Sequence, residues 1–488
     1  MTEKPPFRVI VVGAGLLGLT AAHMLAKTDM DFVVLEQHDD LMPEIGSLLS
    51  ILPPTFRVLD QLGVLDAVEP VLTRVAGGVF MSAPDARIVR KEDLGRLVET
   101  NHGHGISIVH RPHYVKALYN SLPESAKARI HVRRRVARID VADDGVAVHC
   151  ADGTVERGSI VIGADGVHSR TRQTMQSLAK GQPGDTAQPS PFVTTYRLLF
   201  GNLPALPDLP AGTNFECAAD GVSTQIMTGA TQAWFAVYEK LAAPTSMRLR
   251  WTEDDKKEIR QRWGKLFAAP GYTVEDAYAC RNGEVGLINL EEGLLDNWAW
   301  KRIVLVGDAV RKLDPHAGLG YNSGLTDLVV LINGLRTLTR QATLPPPTTG
   351  DLEALFRAYQ TQRMEDTPAI VTMSERRARM LAWLGVKDWF MARFVVPLFP
   401  LGEYSVNSIL GPIISRTPVL DWLDEKRLPA RAMPYVHHPR TETREKLAYN
   451  TNAAAPAASA SASRLPLLTG TLAVAALATV GLRFYRRI

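Results

Sequence analysis

Residues 9–18 read VIVVGAGLLG, and residues 33–36 read VVLE. An apolar run, three glycines and a following acid constrain the fold more than any other feature of this chain. The pattern predicts a buried strand, a tight turn, a helix and a second strand ending in a carboxylate. This is the dinucleotide fingerprint G-x-G-x-x-G, with Gly13, Gly15 and Gly18 as its glycines. Gly13 permits the turn, Gly15 lets backbone amides approach a pyrophosphate, and Gly18 lets the helix pack against the strand. The helix N-terminus then offers unpaired N–H groups and its positive dipole end to the phosphates. Glu36 stands where a carboxylate accepts hydrogen bonds from ribose hydroxyls, which favours an unphosphorylated adenosine ribose. The fingerprint alone leaves FAD and NAD both open.

The 488 residues allow two or three domains. A net charge of +4 with scattered arginines gives no basic stripe, so no nucleic-acid partner is expected. Cys150, Cys217 and Cys280 lie far apart, without the spacing of a metal site or redox pair. Residues 8–180 alternate strand and helix patterns, which predicts a parallel sheet with crossovers. Residues 191–240 hold short strand-like runs between glycine turns, TTYRLLFG, NFECAADG, STQIMTGA and QAWFAVYE, which predict an antiparallel sheet. A buried strand returns at 301–306, and helical periodicity covers 326–338 and 351–380.

The expected fold class is therefore α/β with two domains: a Rossmann-like parallel sheet interrupted by an antiparallel substrate sheet. The predicted boundaries are 1–180 and 281–380 for the nucleotide domain, 181–280 for the substrate domain and 381–446 for a C-terminal helical region. A linker at 447–464 and a transmembrane helix at 465–482 complete the chain.

The linker is rich in alanine and serine and does not suit packing. Residues 465–482 then run 18 positions without a charge. At about 1.5 Å per residue they reach roughly 27 Å, near the thickness of a bilayer core. Arg483, Tyr485, Arg486 and Arg487 suit the head-group region. A core helix docked on the body is the alternative to a membrane span. The polar residues 1–8 lack an export signal. A single-pass C-terminal anchor in the endoplasmic reticulum, with the catalytic body in the cytosol, is the expected arrangement. Apolar runs at 390–400 and 409–414 read as core, with a lipid-dipping surface as the alternative.

Two further motifs follow. Residues 159–170 read SIVIGADGVHSR, a buried strand ending in Asp165-Gly166. Residues 301–324 read KRIVLVGDAVRKLDPHAGLGYNSG, a second strand ending in Gly307-Asp308, then a proline and glycine loop and a helix. With these motifs in this order, residues 7–380 resemble the flavin-dependent monooxygenases of the para-hydroxybenzoate hydroxylase type. SILPP at 50–54, HRPHYVKALY at 110–119, GLGYN at 318–322 and the apolar C-terminal run carry a closer resemblance. It is to the membrane-anchored FAD-dependent monooxygenases of fungal meroterpenoid pathways, many of which epoxidise a prenyl side chain before a cyclase acts.

The resemblance implies FAD as cofactor and NADPH as co-substrate. Asp308 ends a strand where a carboxylate can bond ribityl hydroxyls, with a plain turn cap as the alternative. The resemblance places Arg111 on the FAD pyrophosphate and gives Asp165 contacts to both FAD and NADPH. It brings the backbone of 318–321, including Gly320, beside the flavin pyrimidine, where donors stabilise negative charge. Ser50 and Tyr321 depart from the family's usual glycine and alanine. The first weakens the case for close backbone approach, and the second sets a phenol beside the expected ring. Arg197 matches a family arginine and is a candidate catalytic residue, with a strand salt bridge as the alternative. Tyr238 is a second candidate, with packing as its alternative.

The expected reaction is insertion of one oxygen into a hydrophobic prenylated substrate, by epoxidation of a terminal alkene. A downstream membrane cyclase is an expected partner. Hydroxylation of a phenol, and flavin reduction without oxygen transfer, are the alternatives.

Overall fold

A computed structural model of the chain describes residues 7–42, 48–182, 190–340, 346–383, 389–390 and 401–440. The first strand, Arg8–Val12, is buried on both faces, as a central parallel strand must be when helices cover each side. It pairs in parallel with Asp31–Leu35 and with Ile160–Gly163. The sheet runs Ala299–Trp300, Ile303–Leu305, Ile160–Gly163, Arg8–Val12, Asp31–Leu35, Ile130–His131, with only the Ala299–Trp300 edge antiparallel. All three sequence motifs therefore end on adjacent strands of one sheet.

The second large sheet has eight strands and is less local than residues 181–280 suggested. Its order is Arg311–Lys312, Asn282–Leu294, Val193–Pro204, Gln232–Thr245, Val222–Thr228, Thr213–Ala219, Gly77–Ser82, Ile88–Glu92. Strands from both sides of that interval join it, and Gly77–Ser82 pairs in parallel with Thr213–Ala219. Val193–Pro204 and Gln232–Thr245 are far longer than the short runs expected, at 12 and 14 residues. One face of this sheet buries Leu199, Phe215, Ile226, Phe235 and Val237 against Ile259, Val274 and Ala277. The other face looks toward the parallel sheet.

Helical periodicity at 326–338 belongs to one long helix, Gly320–Arg340. The stretch 351–380 is two helices, Thr349–Met364 and Thr367–Leu381. Pro368 lies in the first turn of the second, where its missing N–H costs nothing, and it cannot continue the first.

The expected helical region at 381–446 is only partly helical. Short turns run from 401 to 416, including a π-helical stretch Val406–Leu410. Residues 417–440 are irregular. They dock on helix Pro53–Leu62, whose polar residues are buried for this purpose. Arg57 donates to both oxygens of Glu425 at 2.5 and 2.9 Å, Gln61 donates to the carbonyls of Leu420 and Leu423, and Asp60 accepts from the amides of Lys426 and Arg427.

Of the two apolar runs, 391–400 lies outside the described residues. In the other, Ile414 is buried and Ile409 is 40% exposed. The linker 447–464 and the expected span 465–482 also lie outside them. Among the described residues no helix is long and apolar enough to cross a membrane.

Candidate active site

One cavity of about 2400 Å³ runs between the two sheets. A single drug-sized ligand needs roughly 300–1,000 Å³, so there is room for a dinucleotide and a second molecule. Gly13, Gly15, Glu36, Ser50, Arg111, Asp165, Asp308, Gly320, Tyr321 and Tyr238 all border it. Residues spread over 308 positions thus meet at one place. Of the candidate residues, Gly18 and Arg197 do not.

The glycines divide their roles by geometry. Gly13 has φ +100°, and a β-carbon on it would meet the Ala164 carbonyl oxygen at 2.8 Å. At Gly18 a β-carbon would lie 1.8 Å from the Gly13 carbonyl oxygen. At Gly15 nothing lies within 4 Å, so the start of helix Leu16–Leu25 stands open to the cavity. No side chain caps that helix end. Its free N–H groups and dipole fit a pyrophosphate. Glu36 is held in place by the amides of Ala14, at 2.8 Å, and His38, at 2.9 Å. The cradle therefore fits the adenosine diphosphate half of FAD.

The flavin end is built by three segments that converge. Gly307 has φ +61°, and its amide donates to the buried carboxylate of Asp327 at 2.9 Å. Asp327 also takes Arg311 and Arg363, at 2.9 and 2.8 Å. This buried cluster fixes the turn that carries Asp308. Lys312 donates to Asp308 at 2.7 Å and borders the cavity. Burial opposes the charge on Lys312, but Asp308 and Glu291 raise its pKa above the ordinary range. A carboxylate and an ammonium side by side suit the hydroxyls of a ribityl chain and the phosphate that follows it.

Asn322 joins the remaining segments. Its oxygen accepts from the Leu52 amide and the Thr55 hydroxyl at 2.9 and 2.8 Å. Its amide donates to the Ser50 and Gly318 carbonyls, both at 2.9 Å. Ser50 is consequently pressed on the glycine loop: a β-carbon on Gly318 would lie 2.7 Å from its side chain. Sequence reasoning missed Asn322 and Lys312, although the i,i+4 spacing of Asp308 and Lys312 was a readable signal.

One expected placement changes. The Tyr321 phenol does not open into the substrate space: its hydroxyl is held by Thr20 and Tyr114, both at 3.0 Å, inside the nucleotide domain. Burial raises the pKa of both tyrosines. Asp165 engages its own turn. It accepts from the Ser169 hydroxyl at 2.5 Å and from the Thr171 amide and hydroxyl, each at 2.9 Å. Burial raises its carboxyl pKa against those donors. Arg111 opens helix Arg111–Asn120 and is exposed at the cavity edge.

Arg197 is 7% exposed and donates to Glu239 at 2.5 Å, with Trp251 stacked at 4.9 Å from its guanidinium. The strand pairing explains why. Arg197 lies opposite Glu239 while Leu198 lies opposite Tyr238, and successive residues of a strand face opposite sides. Leu198 and Tyr238 therefore take the cavity face.

Tyr238 lies against His316, with ring centroids 3.7 Å apart, and its hydroxyl donates to Gln225 at 3.0 Å. Burial pushes its pKa up. His316 sits 2.5 Å from Asp314 through Nδ1 and 3.2 Å from the Ser223 hydroxyl through Nε2. This Tyr238–His316–Asp314 group belongs to the wall that adjoins the Gly318 loop. The sequence reading singled out only its tyrosine.

Fold and site together define a flavoprotein with a second ligand chamber beside the cofactor. Residues 7–345 match the family model described as FAD binding domain. The chain is 32% identical to the FAD-dependent monooxygenase srdH of Neurospora crassa, over 84% of this chain and 94% of that one. It is 31% identical to the FAD-dependent monooxygenase nodM of Hypoxylon pulicicidum, over 86% and 90%. Among solved structures it is similar to HpxO of Klebsiella pneumoniae complexed with FAD and uric acid. There the TM-score is 0.68 at 20% identity, over 83% of this chain and 97% of that one. The chain belongs to the FAD-dependent monooxygenases: it is an oxidoreductase with FAD as its cofactor.

Proposed function

We propose that the chain inserts one oxygen atom into a hydrophobic prenylated intermediate of fungal secondary metabolism, epoxidising a terminal alkene. The observation that carries this reading is the continuity of the cofactor cradle with an apolar chamber. Leu198, Phe200, Met227, Trp234, Ile288 and Leu313 line that part of the cavity. An apolar wall selects an apolar substrate by the water both release. The uncharged run at 465–482 supports a membrane-held enzyme at the endoplasmic reticulum, drawing a lipid-soluble substrate from the bilayer. An epoxide product suits a following cyclisation, so a membrane cyclase is the proposed partner.

When bound, FAD would supply the oxygen chemistry, with NADPH as the reductant. The chain's own task is to hold the cofactor, exclude water and present the alkene. Gly13, Gly15, Glu36 and Arg111 would hold the adenosine diphosphate half. Asp308 and Lys312 would hold the ribityl chain, and the backbone of 318–321 the ring edge. The Tyr238–His316 stack closes the wall next to that loop.

The test is NADPH oxidation under air by the full chain, with peroxide counted, with and without a prenylated phenolic acid ester. Faster oxidation with little peroxide and a product heavier by one oxygen on the prenyl chain is the expected result. Oxygen on the ring with the prenyl chain intact would make the enzyme a phenol hydroxylase. Oxidation that continues without O₂, with the added substrate itself reduced by the two electrons of each NADPH, would make it a reductase.

A further inference from the structure

The cavity face of the eight-stranded sheet carries a charged corner that the cofactor cradle does not use. Arg90 lies opposite Phe80, Phe80 opposite Glu216, and Glu216 opposite Gln225, so one row of the sheet points these side chains the same way. Arg90, Glu92, Glu216 and Arg377 all border the cavity. Arg377 reaches over from helix Thr367–Leu381 and donates to Glu216 Oε2. Arg90 pairs with Glu92 at 2.7 Å.

This corner is left incomplete. Glu216 is 6% exposed, and among the described residues its Oε1 has no hydrogen-bond partner. Arg90 Nε and Nη1 likewise have none among them. A buried carboxylate oxygen without a donor is costly, and a ligand that supplies the donor recovers that cost. The row continues past Gln225 to Ala236, and Gln225 accepts from the hydroxyl of Tyr238, which itself stacks on His316. Neighbouring strands are about 4.8 Å apart, so the corner reaches from one to three strands, roughly 5–14 Å, beyond Gln225. Leu198, Phe200, Met227 and Trp234 give the chamber an apolar stretch as well.

We infer that Glu216, fixed by Arg377, anchors a hydrogen-bond donor on the substrate's head, so that the apolar tail extends toward the His316–Gly320 side. The ligand is then an apolar chain with a hydroxyl-bearing head, and oxygen enters the end remote from the head. This rests on the prenylated substrate class proposed above.

The probes are 4-geranylphenol, which can donate to Glu216, and its methyl ether, which cannot. Binding to the full-length holoenzyme is read by quenching of Trp234 and Trp251, which border the cavity. The phenol should bind roughly tenfold more tightly than the ether, the scale of a hydrogen bond to a charged group. In the double variant Glu216→Leu/Arg377→Met, which removes the pair together, that ratio should fall to about one while flavin content is retained. In Glu216→Gln, which keeps an acceptor and the shape, the ratio should lie between. A ratio near one in the parent, or an unchanged ratio in the double variant, overturns the anchor and leaves the oxygenase reading standing. Failure of the parent to bind either probe overturns the substrate class and the anchor with it.

Discussion

The carbonyl oxygen of Gly13 lies 1.8 Å from where a β-carbon at position 18 would have to be. The third glycine of the fingerprint is therefore required by its own turn, and the middle one by the ligand. Gly18→Ala should destabilise the protein itself, by about 1–3 kcal/mol or more, because backbone must move. Gly15→Ala meets nothing within 4 Å and sits at an ordinary φ of −69°. It should leave thermal unfolding of the flavin-free protein unchanged and lower flavin content. Denaturation and flavin absorbance of the two variants, side by side, check both halves.

Arg197→Ala should lower stability by about 3 kcal/mol, since it removes one partner of a buried pair. Glu239 keeps Arg262 and Trp263, at 2.7 and 2.8 Å, which sets the loss at the lower end for such pairs. Turnover per bound flavin should change little, because the guanidinium does not border the cavity. Urea unfolding together with steady-state kinetics distinguishes this from a catalytic role, in which kcat would fall at unchanged stability.

Tyr321→Phe should cost about 1–2 kcal/mol through the lost hydrogen bonds to Thr20 and Tyr114. Substrate preference should not move, as the hydroxyl faces the nucleotide domain. A shifted product or substrate profile in this variant would place the phenol in the chamber after all.

Glu292 gives the fold a pH dependence. Burial, with Asp314 nearby, raises its pKa from 4.5 to about 7. Its raised folded-state pKa means that the folded protein keeps this proton after the unfolded chain has lost it. Stability from this group is thus present below pH 4.5 and is lost as pH rises through about 7. Glu292→Gln should match the parent's melting temperature at pH 4.5 and exceed it at pH 8. Equal melting temperatures at pH 8 would refute the shift.

Much of the site was legible because its residues sit at strand ends with local signatures. Gly13, Asp165 and Asp308 follow apolar runs that only a buried strand accommodates, and parallel pairing brings such ends together. Asn322, His316 and Glu216 carried no such signal. Their significance comes from partners such as Leu52, Ser223 and Arg377, dozens to hundreds of residues away.

By itself, the order of residues determined that a dinucleotide-binding sheet forms and that its strands end in three motifs, while flavin chemistry followed from the resemblance those motifs carry. The sheet and its motifs depend on short-range patterns: the apolar run of a strand buried on both faces, the glycine turn and the helix start. Only the tertiary structure decided which face each strand residue takes. A shift of one position exchanges cavity for core, which is why Leu198 meets the chamber and Arg197 an ion pair. It also decided that the Tyr321 phenol turns away and that Glu216 is left with a free oxygen among the described residues. Such outcomes depend on packing between distant segments, where burial and hydrogen-bond satisfaction are settled together.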